Sequence, residues 1–183
     1  MRTRVWLGAL MAWAGCREEP TEFVPTPPEP REEWKSASGE VSFLSPGKGW
    51  RQWTEAEMVA FGHEVRLGVY GPWGCSGFVS VRDGYDDGAR VGADAARSEV
   101  TFEGLEVHVD EDVKYDRWTA RRWEVQGRRE GVTHSIRSTF FVNVKRLWRL
   151  EAEAVGKDYV DRRRCLDTLT AGFVFNLPRE PKP

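Results

Sequence analysis

Three consecutive stretches, 117–126, 133–142 and 146–154, alternate apolar and polar residues almost without a break, and short turn-rich segments separate them. A period of two is the signature of a strand, because successive side chains point to opposite faces of a sheet. Connections this short join antiparallel neighbours, since a parallel pair needs a crossover of a dozen residues or more. The second half of the chain therefore predicts an antiparallel meander. The alternation assigns Trp123, Val125, Ile136, Phe140, Val142, Trp148, Leu150, Ala152 and Ala154 to one buried face. It assigns Arg122, Glu124, Gln126, Arg137, Thr139, Arg149, Glu151 and Glu153 to the other. That second face reads as solvated and laced by cross-strand Arg–Glu pairs, each contributing roughly 0.2–1 kcal/mol, with a charged docking groove as its alternative use.

The flanking segments supply more strands and the helices. Residues 40–44 alternate and stop at Ser45-Pro46-Gly47, and 65–69 with 78–81 form a hairpin around Gly71-Pro72-Trp73-Gly74. Asp86-Asp87-Gly88 heads a small-residue helix over 89–102, with Val91, Ala95 and Phe102 toward the core. Tyr159, Arg163, Leu166 and Leu169 recur at helical spacing behind the capping residue Asp158, and Ala171-Gly172 ends that helix near 170. Residues 173–175 return as a strand. The fold class is α+β, an antiparallel sheet with helices packed on it. The full chain has 183 residues, 40% hydrophobic and 31% charged, enough for one proper core. Its net charge of -2 argues against a nucleic-acid binder working by bulk positive charge.

The first residues carry an address. Arg2 and Arg4 precede an apolar run over 5–14, and small residues Ala14-Gly15 lead into Cys16. This is the order of a secretory signal, and its ten apolar residues are too few to cross a ~30 Å hydrocarbon core as a helix. Trp13-Ala14-Gly15-Cys16 resembles the lipobox of bacterial lipoproteins. The resemblance implies cleavage after residue 15 and acylation of Cys16, with chains of the palmitate kind holding the protein to a membrane. Arg17 after that Cys leans toward the outer rather than the inner membrane of a bacterial envelope. Residues 16–38 hold Pro20, Pro25, Pro27, Pro28 and Pro30 among many Glu and read as a linker. At ~3.1 Å per residue, twenty extended residues span up to ~60 Å. The domain is then 39–177, followed by a Pro-rich tail at 178–183.

Within 40–175 the phrase Val41-Ser42-Phe43-Leu44-Ser45-Pro46-Gly47-Lys48-Gly49-Trp50, the meander ending in Arg146-Leu147-Trp148-Arg149-Leu150-Glu151-Ala152, and the close Leu166-Asp167-Thr168-Leu169-Thr170-Ala171-Gly172-Phe173 are similar to the PsbP/DcrB-like superfamily. That resemblance implies a PsbP/DcrB-like α/β sandwich and a binding or assembly module without catalytic residues.

Candidate sites are few. Cys75 and Cys165 either pair, closing a loop that would stabilise by ~4–5 kcal/mol, or are buried separately. A free Cys75 is the one nucleophile an enzyme reading could use, and no base stands beside it in sequence. His63, His108 and His134 show no metal-ligand spacing. The carboxylates of 83–88 and 110–112 read as solvated turns rather than calcium loops. No metal and no cofactor is expected. Trp53, Trp73 and Trp118, with Arg122 beside Trp118, are the candidate partner-binding anchors, because exposed Trp and Arg dominate binding hot spots. The expectation is a non-catalytic envelope lipoprotein, attached to the membrane through its N-terminal lipid, whose domain binds a protein or glycan partner. A small enzyme using Cys75 and an inert surface lipoprotein are the alternatives.

Overall fold

The computed structural model describes residues 31–178 apart from 63, 85–88, 90–91, 95–99 and 157. The expected signal segment 1–15, Cys16, most of the linker and the tail from 179 lie outside the described residues. So do much of the expected helix at 89–102 and its cap. Residues 89 and 92–94 are helical, and Phe102 is not.

The described elements run β1 (Glu33–Lys35), β2 (Val41–Leu44), β3 (Arg51–Gln52), α1 (Glu55–Phe61), β4 (Val65–Tyr70), β5 (Cys75–Asp83), β6 (Glu103–Tyr115), β7 (Trp118–Arg129), β8 (Val132–Asn143), β9 (Arg146–Val155), α2 (Tyr159–Gly172) and β10 (Phe173–Phe175). A seven-stranded antiparallel sheet has the order β3-β4-β5-β9-β8-β7-β6, and a three-stranded sheet has the order β1-β2-β10. The expected antiparallel sheet with helices on it is what forms. β1 falls inside the stretch 16–38 expected to be linker: Trp34 stacks on Phe43 with ring centroids 5.9 Å apart, so the ordered unit starts before residue 39. A Trp brings enough apolar area to recruit a three-residue strand out of a Pro/Glu-rich context.

The meander departs from the expected face assignment. β8 and β9 are joined by the two residues Val144 and Lys145, both in the left-handed region at φ 50 and 55, which is a type I′ hairpin. That turn pairs Asn143 with Arg146 and therefore Phe141 with Trp148, so Trp148 shares a face with Phe141 and not with Phe140. A one-residue change of register moves every side chain of a strand to the other face. The consequence is a sheet buried on both sides. One face sets Val79, Val81, Phe141, Trp148 and Leu150 against Val41, Phe43, Leu166, Leu169 and Phe173 of the small sheet and α2. The other sets Trp123, Val125 and Ile136 against Val100 and Phe102, and Phe140 and Leu147 against Ala93. Gly127, expected in a turn, is inside β7. A Cβ there would stand 2.4 Å from the Cβ of Phe102, so only glycine lets that ring lie on the strand.

The charges expected in solvent are instead partly buried beneath α2. Arg137, 5% exposed, donates from Nε to Glu124 (2.7 Å) and from Nη1 to Asp167 of α2 (2.8 Å). Arg162 of α2 reaches the sheet in return, donating to Ser135 Oγ (3.0 Å), Gln126 Oε1 (3.1 Å) and the Gly156 carbonyl (2.7 Å). The expected cap is in place: the Asp158 carboxylate accepts from the Val160 and Asp161 N–H groups. On the far side, Glu151 is held by Arg149 and by Ser138 Oγ (2.9 Å). The meander's charges thus act largely as internal fasteners.

Candidate partner-binding site

The sequence candidates separate sharply. Trp53 is 5% exposed and lies flat on β4: a Cβ at Gly68 would meet its ring at 2.2 Å. Phe61, Tyr70 and Phe78 surround it at centroid distances of 5.3, 5.1 and 5.9 Å. Trp118, expected on an exposed polar face, is 8% exposed. It stacks on Phe141 at 4.5 Å and donates its indole N–H to Asn143 Oδ1 at 3.2 Å. Arg122 is half-buried on the same face. Trp53 and Trp118 are thus taken up by packing and cannot act as exposed anchors, and Arg122 is only half exposed. Trp73 is different: it is 79% exposed at the tip of the β4–β5 hairpin. Its backbone sits at φ 57, ψ 36, a left-handed conformation that costs a bulky L-residue on the order of 1–2 kcal/mol.

Cys75 and Cys165 are joined in a disulfide, with Cα atoms 5.8 Å apart, tying β5 to α2. His134 Nδ1 lies 2.8 Å from Glu153 Oε1, His108 lies 3.9 Å from Glu106, and His63 is outside the described residues. Asp110-Glu111-Asp112, expected in a turn, is in the middle of β6, with Arg121 spanning Asp110 (2.5 Å) and Asp112 (3.1 Å). Among the described residues no three His, Cys, Asp or Glu gather as a metal site.

Sequence reasoning missed α1 and the space beside it. The signal was present: Thr54 and Glu57 form a capping box, each side chain bonding the other's backbone N–H. Arg51 adds a bidentate pair to Glu57 at 2.9 and 2.8 Å. That guanidinium, with the Thr54 N–H, holds the Glu57 carboxyl down at about 2. The helix so fixed walls two cavities. On one side Phe61 closes a pocket of about 170 Å³ with Trp53, Tyr70, Ser76, Phe78, Glu151 and Glu153. On the other runs a groove of about 550 Å³ between α1 and the β1–β2 turn, lined by Lys35, Ser38, Gln52, Met58, Val59 and Arg66 among others. β3 covers only the Val69–Tyr70 end of β4; among the described residues no further strand lies on that side of Val65–Leu67, where Gly62 and Trp53 hold the Val65 N–H and the Gly68 carbonyl. The groove follows that end. A third cavity, of about 220 Å³, lies beside Trp73, the disulfide, Asp158 and Asp161.

No protein-family model matches the sequence, and no curated protein matches it either. Solved structures do. Cyanobacterial PsbP (CyanoP) from Synechocystis superposes with a TM-score of 0.50 at 12% identity, covering 79% of this chain and 92% of that one. The fold is PsbP-like. LpqN of Mycobacterium tuberculosis, described as involved in cell envelope biogenesis, matches with a TM-score of 0.52 at 10% identity, covering 79% of this chain and 89% of LpqN. A Bacteroides thetaiotaomicron protein matches at 0.51 and 13% identity, covering 83% of this chain and 51% of its own length. At such identities the PsbP-like likeness is one of architecture. No helix among the described residues is long and apolar enough to cross a membrane.

Proposed function

We propose that this chain is a non-catalytic lipoprotein of a bacterial envelope, held by lipid on Cys16, whose PsbP-like domain binds an extended segment of a protein partner in the groove beside α1. The observation that carries the reading is the groove itself. It is about 550 Å³, within the range of ligand-binding clefts, and it lies between α1, the β1–β2 turn and the Val65–Arg66 end of β4. An extended peptide lying there can set side chains against Met58 and Val59 and bond main-chain groups of the groove wall other than the Val65 N–H and the Gly68 carbonyl, which Gly62 and Trp53 already hold. A glycan offers no apolar side chains of that kind, so the protein partner is preferred. Val59 is exposed beside the groove, a natural position for a partner's apolar side chain.

The absence of catalysis is part of the proposal. It is supported by the carboxylates with acid–base potential being committed: Glu151 to Arg149 and Ser138, Glu124 to Arg137, Glu153 to His134. Cys75 is committed to Cys165. Membership of the outer membrane is supported by Arg17 after Cys16.

A photo-crosslinking residue placed at Val59 in the full-length protein in cells tests this reading. The expected result is one discrete adduct, lost in the Met58→Asp variant and absent when the same probe is placed at exposed Val174 of β10. Equal adducts from both positions, or none from Val59, would overturn it. The anchor is tested separately by labelling cells with an alkyne fatty acid, expecting label in the native chain and none in Cys16→Ser.

A further inference from the structure

Trp73 is not explained by the groove. It is the one strongly exposed Trp among the described residues, and it is held in a backbone conformation that resists a large side chain. It is not isolated. Trp73 and the first turn of α2 wall the same cavity, and in that turn Tyr159 and Val160 are each 61% exposed. Three exposed large side chains therefore lie at one end of the domain, with Asp158, Asp161 and Arg162 at the start of α2 beside Trp73 in the cavity there.

Where the described chain comes in, Glu32 accepts a hydrogen bond from the Ser45 N–H at 2.8 Å and Glu33 pairs with Leu44. The loop that follows packs on the Trp73 turn. A Cβ at Gly71 would meet the Trp50 ring at 2.7 Å, and one at Gly49 would lie 3.7 Å from Pro72. The described chain thus begins at the end of β2 whose following loop reaches the Trp73 turn.

We infer that this end of the domain rests on the lipid bilayer, with Trp73 seated at the water–lipid interface; the inference rests on the reading of Cys16 as the anchor. Indole is the side chain best suited to that boundary, being apolar in body with one polar N–H, and Tyr159 shares the property. The charges near the patch have partners within α2: Arg164 lies 3.9 Å from Asp161, Arg163 lies 3.7 Å from Asp167 and also bonds the Tyr159 side chain, and Asp158 caps the helix. The contact is therefore one of interfacial partition and not of attraction to anionic lipid. One Trp binds a membrane weakly, but a tether keeps it at high local concentration, so weak partition suffices to orient the domain. The groove beside α1 would then be presented at a fixed attitude to the membrane.

The test uses the full chain with the Cys75–Cys165 bridge intact, which leaves Cys16 as its one free thiol. Coupling Cys16 to a maleimide phospholipid in phosphatidylethanolamine/phosphatidylglycerol vesicles supplies the anchor whether or not cells do, so failure of the anchor and failure of the seat are distinguishable. Emission is compared between the native chain and Trp73→Phe, with ordinary and with acyl-brominated lipid. The difference spectrum, which isolates Trp73, is expected to fall on the order of twofold on brominated vesicles. It is expected to be unchanged by 0.5 M salt, at which exposed charges are screened within ~4 Å. Trp73→Asn, whose short side chain tolerates the left-handed backbone, keeps the fold and is expected to release Tyr159 and Val160 from the same surface, read as increased proteolysis of the α2 N-terminal turn. A difference spectrum indifferent to brominated lipid overturns the inference. So does quenching that disappears in salt, and so does a protein partner whose binding depends on Trp73 while vesicle quenching does not.

Discussion

Replacing Arg137 with Leu removes the guanidinium that fastens α2 to the large sheet, and its effect can be worked from the contacts. Arg137 makes three hydrogen bonds: to Glu124 at 2.7 Å, to Asp167 at 2.8 Å and to Thr170 Oγ1 at 3.4 Å. Their worth differs because their surroundings differ. The Asp167 side chain is 56% exposed, so water takes over when Arg137 is gone and the loss is about 0–1 kcal/mol. The Glu124 side chain is 11% exposed, and removing its partner leaves a carboxylate with little access to solvent, which costs about 3 kcal/mol or more. The long Thr170 contact adds little. The sum is about 3–4 kcal/mol, or about 10 °C in Tm at roughly 3 °C per kcal/mol for a domain of this size. Urea unfolding followed by far-UV circular dichroism measures it. The reasoning distinguishes a desolvated partner from a lost attraction. Arg137→Leu combined with Glu124→Leu is therefore expected to return to within about 1 kcal/mol of native, and Asp167→Asn alone to cost about 1 kcal/mol or less. A single variant costing under about 1 kcal/mol, or a double variant less stable than the single, would refute it.

Reduction of the Cys75–Cys165 bridge opens a loop closed over 90 residues and is expected to lower stability by about 4–5 kcal/mol, seen as a large fall in the urea midpoint on adding a phosphine reductant; an unchanged midpoint would remove its role. Gly68→Ala places a methyl group 2.2 Å from the Trp53 ring and is expected to cost about 1–3 kcal/mol and to shift Trp emission to the red as the indole lifts off β4. Glu57 is held at about 2, well under its ordinary carboxylate value, first by Arg51. Its folded value lies below the unfolded one, so what it gives α1 is present above about pH 4.5 and is lost as pH falls toward 2. A carboxyl NMR titration should show Glu57 returning toward 4.5 in Arg51→Gln, and an unmoved midpoint would break the assignment.

Much of the fold was legible because the meander carries its own period. Strands β7, β8 and β9, the β4–β5 hairpin, helix α2 with its Asp158 cap and the closing strand all follow from alternation, helical spacing and turn residues. The face assignment did not follow, and the cause is local. The β8–β9 connection reads as three residues from Asn143 to Lys145, whereas the hairpin uses two, Val144 and Lys145, in left-handed conformations that Gly, Asn or Asp would normally advertise. With two residues, Phe141 faces Trp148 and β9 turns over. The charges of the meander then fall under α2 and beside Trp53, where only a three-dimensional register places them. The groove was invisible for a related reason: its walls, the β1–β2 turn, α1 and the Val65–Arg66 end of β4, are brought together by a small sheet whose first strand lies in a stretch that composition assigns to linker.

Burial on both sides of the sheet also decides where a partner can act. The high Trp content suggested exposed anchors, yet Trp53, Trp118, Trp123 and Trp148 are buried, and Trp34 and Trp50 pack on the core. A seven-stranded sheet covered by α2 and the small sheet on one face, and in part by α1 and by Ala93, Val100 and Phe102 on the other, has little free face left for docking. What remains are its ends and edges. β6 is a long edge strand, but Glu103, Glu106, Glu111 and Asp112 line it and two irregularities in its pairing interrupt it, features that discourage a further strand. The opposite edge differs: β3 is two residues long, and the end of β4 beyond it opens on a groove lined by Met58 and Val59 together with Lys35, Gln52 and Arg66. The asymmetry between a guarded edge and one that opens on a groove is the physical reason to look for the partner beside α1 rather than along β6.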